Sequence, residues 1–371
     1  MCSWRSSAAT AAVTLGLFIA EPQHAIAQQG VITNRGVVEI ETAGASGISV
    51  RMVEDLANLI DDGATRRVLP VVGKGALQNL TDLRYLRGID MAILPTDLLE
   101  YAKEQELPPE LTASLTYVTK LHSEELHVLT RAETKEIRDL TNQQVNLDLR
   151  GSATAVTATR VFKLLNIPIT PTYDSPEVAL EKLKKGEIAA VVLVAGKPAP
   201  MFLSVRAGAD FHLLDAPLTK ATSNAYVPTR LTSADYPSLI PADRPIDTVA
   251  VSNVLAVAEL RQIPERYRNV ANFVDVFFTS FQSLLSPGRR PKWAEVNIAA
   301  ELPGWRRYAP ADQWLQRNMQ IAKAPSPEAL RTMFSRFVDE RRSAVGGGAM
   351  GQQDKDALFQ QFQTWQRTQR Q

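Results

Sequence analysis

Five short turns carry the residue types in this sequence best suited to chemistry. They are Thr42-Ala43-Gly44-Ala45-Ser46-Gly47, Gly73-Lys74-Gly75-Ala76, Pro95-Thr96-Asp97, Arg150-Gly151-Ser152-Ala153-Thr154 and Ala195-Gly196-Lys197-Pro198. Small residues let a backbone approach a bound molecule closely. The unpaired N–H groups at a helix start carry about half a positive charge and favour an anion. Gly44, Ser46, Gly47 and Gly75 would offer such donors from one side, and Gly151, Ser152, Thr154, Lys197 and Pro198 from the other. Arg150 could grip a carboxylate with two parallel hydrogen bonds, and Lys197 could act as a point charge. Lys74 reads better as a solvated surface residue. Thr96 and Asp97 follow an apolar strand; Asp97 could bind an ammonium group or cap the next helix, and Ser46 and Ser152 pose the same choice between ligand and cap. Gln78 and Asn79, just inside a helix, are placed to point into the same region. The chemistry would be non-covalent capture of a small anionic or zwitterionic molecule.

Covalent chemistry finds little support. The histidines are His24, His122, His127 and His212, none in a metal-ligand spacing, and His127 lies in an apolar strand where a structural role is commoner. No G-x-S-x-G elbow, H-E-x-x-H pair or phosphate-binding glycine loop occurs, so no catalytic residue, metal or cofactor is assigned. A hydrolase is the least favoured reading. The formal charge of +1 is too balanced for a nucleic-acid-binding face.

Both ends of the chain have their own character. Arg5, the apolar stretch Ala8 to Ala20 and the small residues of Ala25-Ile26-Ala27 give residues 1–27 the pattern of a cleaved signal, with cleavage after Ala27. The stretch is short for a membrane core of about 30 Å, which takes about 20 apolar residues. Cys2, the single cysteine, lies within it, so the processed chain would hold no disulfide and no thiol nucleophile. Residues 325–371 read as a helical extension. An amphipathic helix with Leu330, Phe334, Phe337 and Val338 is broken by Gly346-Gly347-Gly348, and a final helix carries Leu358, Phe359, Phe362 and Trp365.

Between the ends, strands and helices alternate. Strands are expected at Val37–Thr42, Val68–Val72 and Asp90–Leu94, with helices through Val53, Leu56 and Ile60 and through Leu77, Leu80, Leu83 and Leu86. Two strands, Leu115–Leu121 and Leu126–Arg131, are expected on either side of a polar turn. The alternation then restarts with strands at Val145–Leu149, Ile169–Tyr173 and Ile188–Val194. Helices run from Ala153 to Leu165 and from Pro176, the latter capped by Ser175. Strand Thr248–Val251, with Val254–Val257 beyond it, returns the chain to the first unit, completed by helices Pro264–Leu285 and Trp314–Lys323. This is an α/β chain of two lobes. Lobe I takes 36–131 and 248–324, lobe II takes 132–247, and a hinge lies between them.

The ordered set of turns resembles the TAXI family, the extracytoplasmic solute receptors of TRAP-type uptake systems. The resemblance runs from Val37 to Gln282 through the five turns, Leu140 to Thr154, and Ile240-Pro241-Ala242 to Asp247-Thr248-Val249-Ala250. It implies a type II periplasmic-binding-protein fold, a cleft that closes on a glutamate-like amino acid or small dicarboxylate, and hand-over to TRAP membrane permease subunits in the periplasm. Two positions depart from the pattern: Ile48-Ser49-Val50 stands where an aromatic residue is usual, and Lys197 where an aromatic or small residue is usual. A receptor that feeds a membrane signalling protein instead stays open, on the C-terminal extension.

Overall fold

The first strand, β1 (Val37–Thr42), sends Val38 and Ile40 into one apolar cluster, the period-2 signature of a pleated strand. The computed structural model describes residues 36–44, 47–205, 210–258, 260, 263–318 and 334. The expected signal, Ser46 and all of the expected C-terminal extension but Phe334 lie outside the described residues.

After β1 come α1 (Ile48–Ile60), β2 (Arg67–Val72), α2 (Ala76–Tyr85), β3 (Met91–Pro95), α3 (Leu98–Glu104), the short α4 (Glu110–Ala113) and β4 (Thr116–Arg131). The second run is β5 (Gln144–Asn146), α5 (Ala153–Leu164), β6 (Thr170–Thr172), α6 (Pro176–Lys185), β7 (Ala190–Ala195), the short α7 (Pro200–Leu203), β8 (Phe211–Leu213) and β9 (Val227–Leu231). The chain then returns through β10 (Ile246–Val257), α8 (Pro264–Leu284), β11 (Arg306–Arg307) and α9 (Ala309–Arg317). Proline stands in the first turn of α6, α8 and α9, where its missing N–H has no intrahelical partner to lose.

The strands form one mixed sheet in the order β2-β1-β3-β10-β4-β7-β5-β6, with β8 and β11 added on β4 and β9 on β10. β1, β2 and β3 are mutually parallel, as are β5, β6 and β7. β4 and β10 run antiparallel to each other and to their neighbours β3 and β7, and cross from one parallel set to the other. In the first half, α1 and α8 cover one face with Val53, Leu56, Phe273 and Phe277, and α2 covers the other with Ala76, Leu80 and Leu83. In the second half, α5 covers one face with Ala158, Val161 and Phe162, and α6 covers the other with Ala179 and Leu183. Full burial of each large side chain contributes about 1.5–3 kcal/mol.

Two expectations are corrected. The two strands placed at Leu115–Leu121 and Leu126–Arg131 are a single strand, β4, 16 residues long. The polar segment does not turn, because Ser123, Glu124 and Glu125 keep their partners Ser252, Val251 and Ala250 on β10. The two segments expected at Thr248–Val251 and Val254–Val257 are likewise one strand. Polarity at the middle of these strands marks a place in the sheet and not a break in the chain.

Candidate functional site

The parallel strands of both halves end on the same short segment of the crossing strands. Asn253 of β10 stands opposite Pro95, the last residue of β3, and Glu125 of β4 stands opposite Ala195, the last residue of β7. Loops beyond the carboxyl ends of parallel strands are where α/β sheets bind ligands. The five turns singled out in the sequence are the loops that leave these ends.

Across this region the halves touch. The N–H of Leu77, in the first turn of α2, donates to the Gly151 carbonyl at 3.0 Å. Gly75 has φ 130°, and a Cβ there would lie 2.9 Å from the Ser152 Cα. Only glycine meets both demands. Gly196 faces Ile48, which opens α1, with a Cβ-to-methyl approach of 3.4 Å. By contrast, a Cβ on Gly44 or Gly47 would meet nothing within 4 Å. Gly47 takes the N-cap position of α1 without a side-chain cap.

The individual side chains are engaged as follows. Ser152 caps α5, its Oγ accepting from the Ala155 N–H at 3.1 Å. Thr154 Oγ1 accepts from the Val194 N–H at 3.0 Å and so ties α5 to β7. The Arg150 guanidinium lies 4.1 Å over the Tyr173 ring, a cation–π contact. Lys197, joined to Pro198 by a cis peptide bond, donates through Nζ to the Arg230 carbonyl and through its backbone N–H to Glu125 Oε2 at 3.0 Å. Gln78 is exposed and donates to Asp82 at 2.7 Å. The backbone of Thr96 donates to Ser252 at 2.8 Å and accepts from Trp305 Nε1 at 2.9 Å.

Asp97 occupies the N-cap position of α3 but does not cap it. Its buried carboxyl accepts from the Tyr226 hydroxyl at 2.8 Å and from Thr157 at 3.3 Å, both from the second half. Burial pushes this carboxyl above the usual carboxylate range, against the pull of these bonds and of Arg160. A neighbouring bridge joins Arg160 of α5 to Glu104 of α3 at 3.2 Å.

Three polar groups that sequence reasoning left aside form the centre of the region. Between the ends of β3 and β7 lie His122 and Glu124 of β4 and Asn253 of β10. Here Lys120 pairs with Val254 and Ser123 with Ser252, so Leu121 and His122 together oppose Asn253 in a bulge, a device that re-aims side chains. His122 Nε2 lies 3.5 Å from Ser49 Oγ, 3.4 Å from Asn253 Nδ2 and 3.6 Å from Glu124 Oε1. His122 is fully buried, and its Nδ1 has no hydrogen-bond partner. Two further buried groups lack partners nearby: Glu41 Oε2 and both polar atoms of Asn79, which lie against Gly73 at the end of β2. The readable signal for the centre is one asparagine on the inward face of β10, in the series Val249, Val251, Asn253, Leu255, Val257.

His127 is structural. Its Nδ1 lies 2.8 Å from the Glu125 carbonyl, which can only accept, so Nδ1 carries the proton and Nε2 accepts from the Tyr236 hydroxyl at 2.7 Å. Among the described residues no group of three or more His, Cys, Asp or Glu is placed to hold a metal ion, and no helix is long and apolar enough to cross a membrane.

Two parallel α/β halves, joined by strands that cross between them and with helix-opening turns that meet across them, define the class: a two-lobed type II periplasmic-binding-protein fold. Within that class the chain belongs to the NMT1-like family, which it matches over residues 40–265. Similar solved structures include the periplasmic binding protein BugD, with 11% identity, a TM-score of 0.44 and coverage of 77% of this chain and 95% of that one. A TctC solute binding protein from Polaromonas shares 13% identity at a TM-score of 0.41, covering 77% and 95%. The alkanesulfonate-binding protein SsuA from Xanthomonas axonopodis pv. citri, bound to MOPS, shares 12% at a TM-score of 0.37, covering 82% and 93%. No curated protein sequence matches the chain.

Proposed function

We propose that this chain is an extracytoplasmic solute-binding receptor of the TAXI type, which captures a small carboxylate or amino acid between its lobes without covalent chemistry. The supporting observation is the contact of Gly75 and Leu77 with Gly151 and Ser152, two helix-opening turns from opposite halves brought against each other. Lobe I comprises 36–131 and 248–324 and lobe II comprises 132–247, so β4 and β10 form the hinge. Export rests on residues 1–27, and TRAP permease subunits receive the solute. Open space beside Gly44 and Gly47 admits the ligand to backbone donors, while Gly75 and Gly151 let the two turns close on each other. The cations Arg150 and Lys197 stand at the turns of lobe II, where each is held within that lobe, by the Tyr173 ring and the Arg230 carbonyl, and a carboxylate would compete for them there.

A thermal-shift screen with organic acids and amino acids tests this reading. A ligand at 100 times its Kd raises stability by about 2.7 kcal/mol, a shift of several degrees. A clear shift by one compound, recovered unchanged after incubation, is expected. Turnover of that compound, or no shift by any member of the screen, would overturn it.

A further inference from the structure

We propose that the hydrogen-bond-donating end of the solute is held at the polar gap between the two apolar cores, by Glu124 and His122, with Ser49 and Asn253 positioning them. The proposal rests on the receptor reading above and assigns residues and ligand chemistry to its site.

The gap is visible along both crossing strands. On β10, Val249 and Val251 belong to the core under α5, and Leu255 and Val257 to the core under α1 and α8. On β4, Leu126 and Val128 belong to the first of these cores, and Val118 and Leu121 to the second. Asn253, His122 and Glu124 fall between the two cores. An uninterrupted apolar face would have joined them at no cost in desolvation. The interruption coincides with the segment on which β3 and β7 end, and with the bulge that adds His122.

The polar groups there do not satisfy His122. All three neighbours of His122 Nε2 stand at 3.4 Å or beyond, the weak limit of a hydrogen bond. Nδ1 has no partner although the residue is fully buried, which costs about 1–3 kcal/mol when nothing repays it. Burial pushes the Glu124 carboxyl up, but the nearby His122, Asn253 and Lys292 outweigh it and hold the group below the usual carboxylate range. Lys120, near the same strand segment, is held down by burial and up by Glu295.

An ionised carboxylate calls for a donor and repels a second carboxylate, and where His122 Nε2 directs its proton to Glu124 the unpaired Nδ1 is a second acceptor that calls for the same donor. A protonated amine satisfies both. The first turn of α1, a helix of 13 residues that contributes Ser49 to the gap, presents N–H groups to the anionic end of the same solute.

Paired probes test the assignment: L-glutamate with 2-oxoglutarate, and L-alanine with pyruvate, titrated calorimetrically into wild type, Glu124→Gln and Glu124→Asp. At least one amino acid is expected to bind wild type about tenfold or more tightly than its deaminated partner, and Glu124→Gln should remove most of that ratio. Equal affinity for the members of each pair, or an unchanged ratio in the folded variants, would overturn this assignment while leaving the receptor reading intact. If Glu124→Gln does not fold, the wild-type ratio and Glu124→Asp decide. If both the probes and the wider screen fail to bind, the receptor reading falls and the assignment with it.

Discussion

The Tyr226 hydroxyl donates to the Asp97 carboxyl at 2.8 Å, joining the loop before β9 to the start of α3. Thr157 of α5 bonds the other carboxyl oxygen, so a group at the end of the first half is held wholly from the second. The bonds of Asp97 make it a clasp between halves and neither a helix cap nor a free ligand for ammonium. Asp97→Asn keeps an acceptor oxygen for one hydroxyl, sets an amide N–H against the other, which can accept it, and removes the ionisation.

The pH dependence of that variant follows from the direction of the shift. Burial raises the folded-state Asp97 pKa above its unfolded value of 3.8. The stability this contributes is therefore complete below about pH 4 and is lost as pH rises through the folded value. Melting temperatures of wild type and Asp97→Asn measured from pH 4 to 8 should show wild type losing ground to the variant as pH rises. Parallel curves would contradict it. Tyr226→Phe removes the donor and should destabilise by about 1–3 kcal/mol.

Gly75→Ala tests the contact between turns. The new Cβ would stand 2.9 Å from the Ser152 Cα, at a φ of 130° that side chains rarely adopt. Local strain of about 1–3 kcal/mol is expected, relieved by separating the halves. Small-angle scattering should report a larger radius of gyration than wild type, and ligand affinity should fall. An unchanged radius with unchanged stability would mean that the turns do not meet in solution.

Glu41 supplies a second pH-dependent feature. Burial, the Asp82 charge and a hydrogen bond to Asp82 push its carboxyl from 4.5 to about 7. Because the folded value is the higher one, its stabilising contribution is full below about pH 4.5 and disappears as pH rises through about 7. Glu41→Gln should flatten the stability profile between pH 5 and 8 by on the order of 1–3 kcal/mol, read from chemical denaturation at each pH. A wild-type slope retained in the variant would assign the effect elsewhere.

Much of the fold was legible because local signals agreed. β1 lies at its expected bounds, and Pro176 and Pro264 mark the starts of α6 and α8, where proline fits the first turn. The continuity of β4 was not legible, since Ser123-Glu124-Glu125 reads as a turn until its partners on β10 are known. The site divides in the same way. Its turns stand out by their small residues, whereas Asp97 and Tyr226 are 129 residues apart and no local pattern couples them. His122 and Glu124 were hidden by their neighbours: their placement depends on a bulge and on two cores that converge only in the folded sheet.

Lys292 and Glu125 offer the sharpest test of how the crossing strands are held. Lys292 Nζ donates to Glu125 Oε1 at 3.1 Å, to Glu295 Oε1 at 3.0 Å and to the Ser123 carbonyl at 2.9 Å. Glu125 Oε2 accepts the Lys197 N–H at 3.0 Å, so the pair links the segment before α9, the centre of β4 and the turn after β7. The Lys292 and Glu125 side chains are only 13% and 5% exposed, which places them among buried pairs and not among weak surface ones. Lys292→Met leaves Glu125 buried without its cation and should destabilise by about 3–5 kcal/mol. Glu125→Gln on that background removes the stranded charge while keeping an acceptor for Lys197, and should restore a large part of the loss. A double-mutant cycle by urea denaturation measures the coupling. Additive losses would show that the two side chains act independently, and the link across the crossing strands would then rest on their backbone pairing alone.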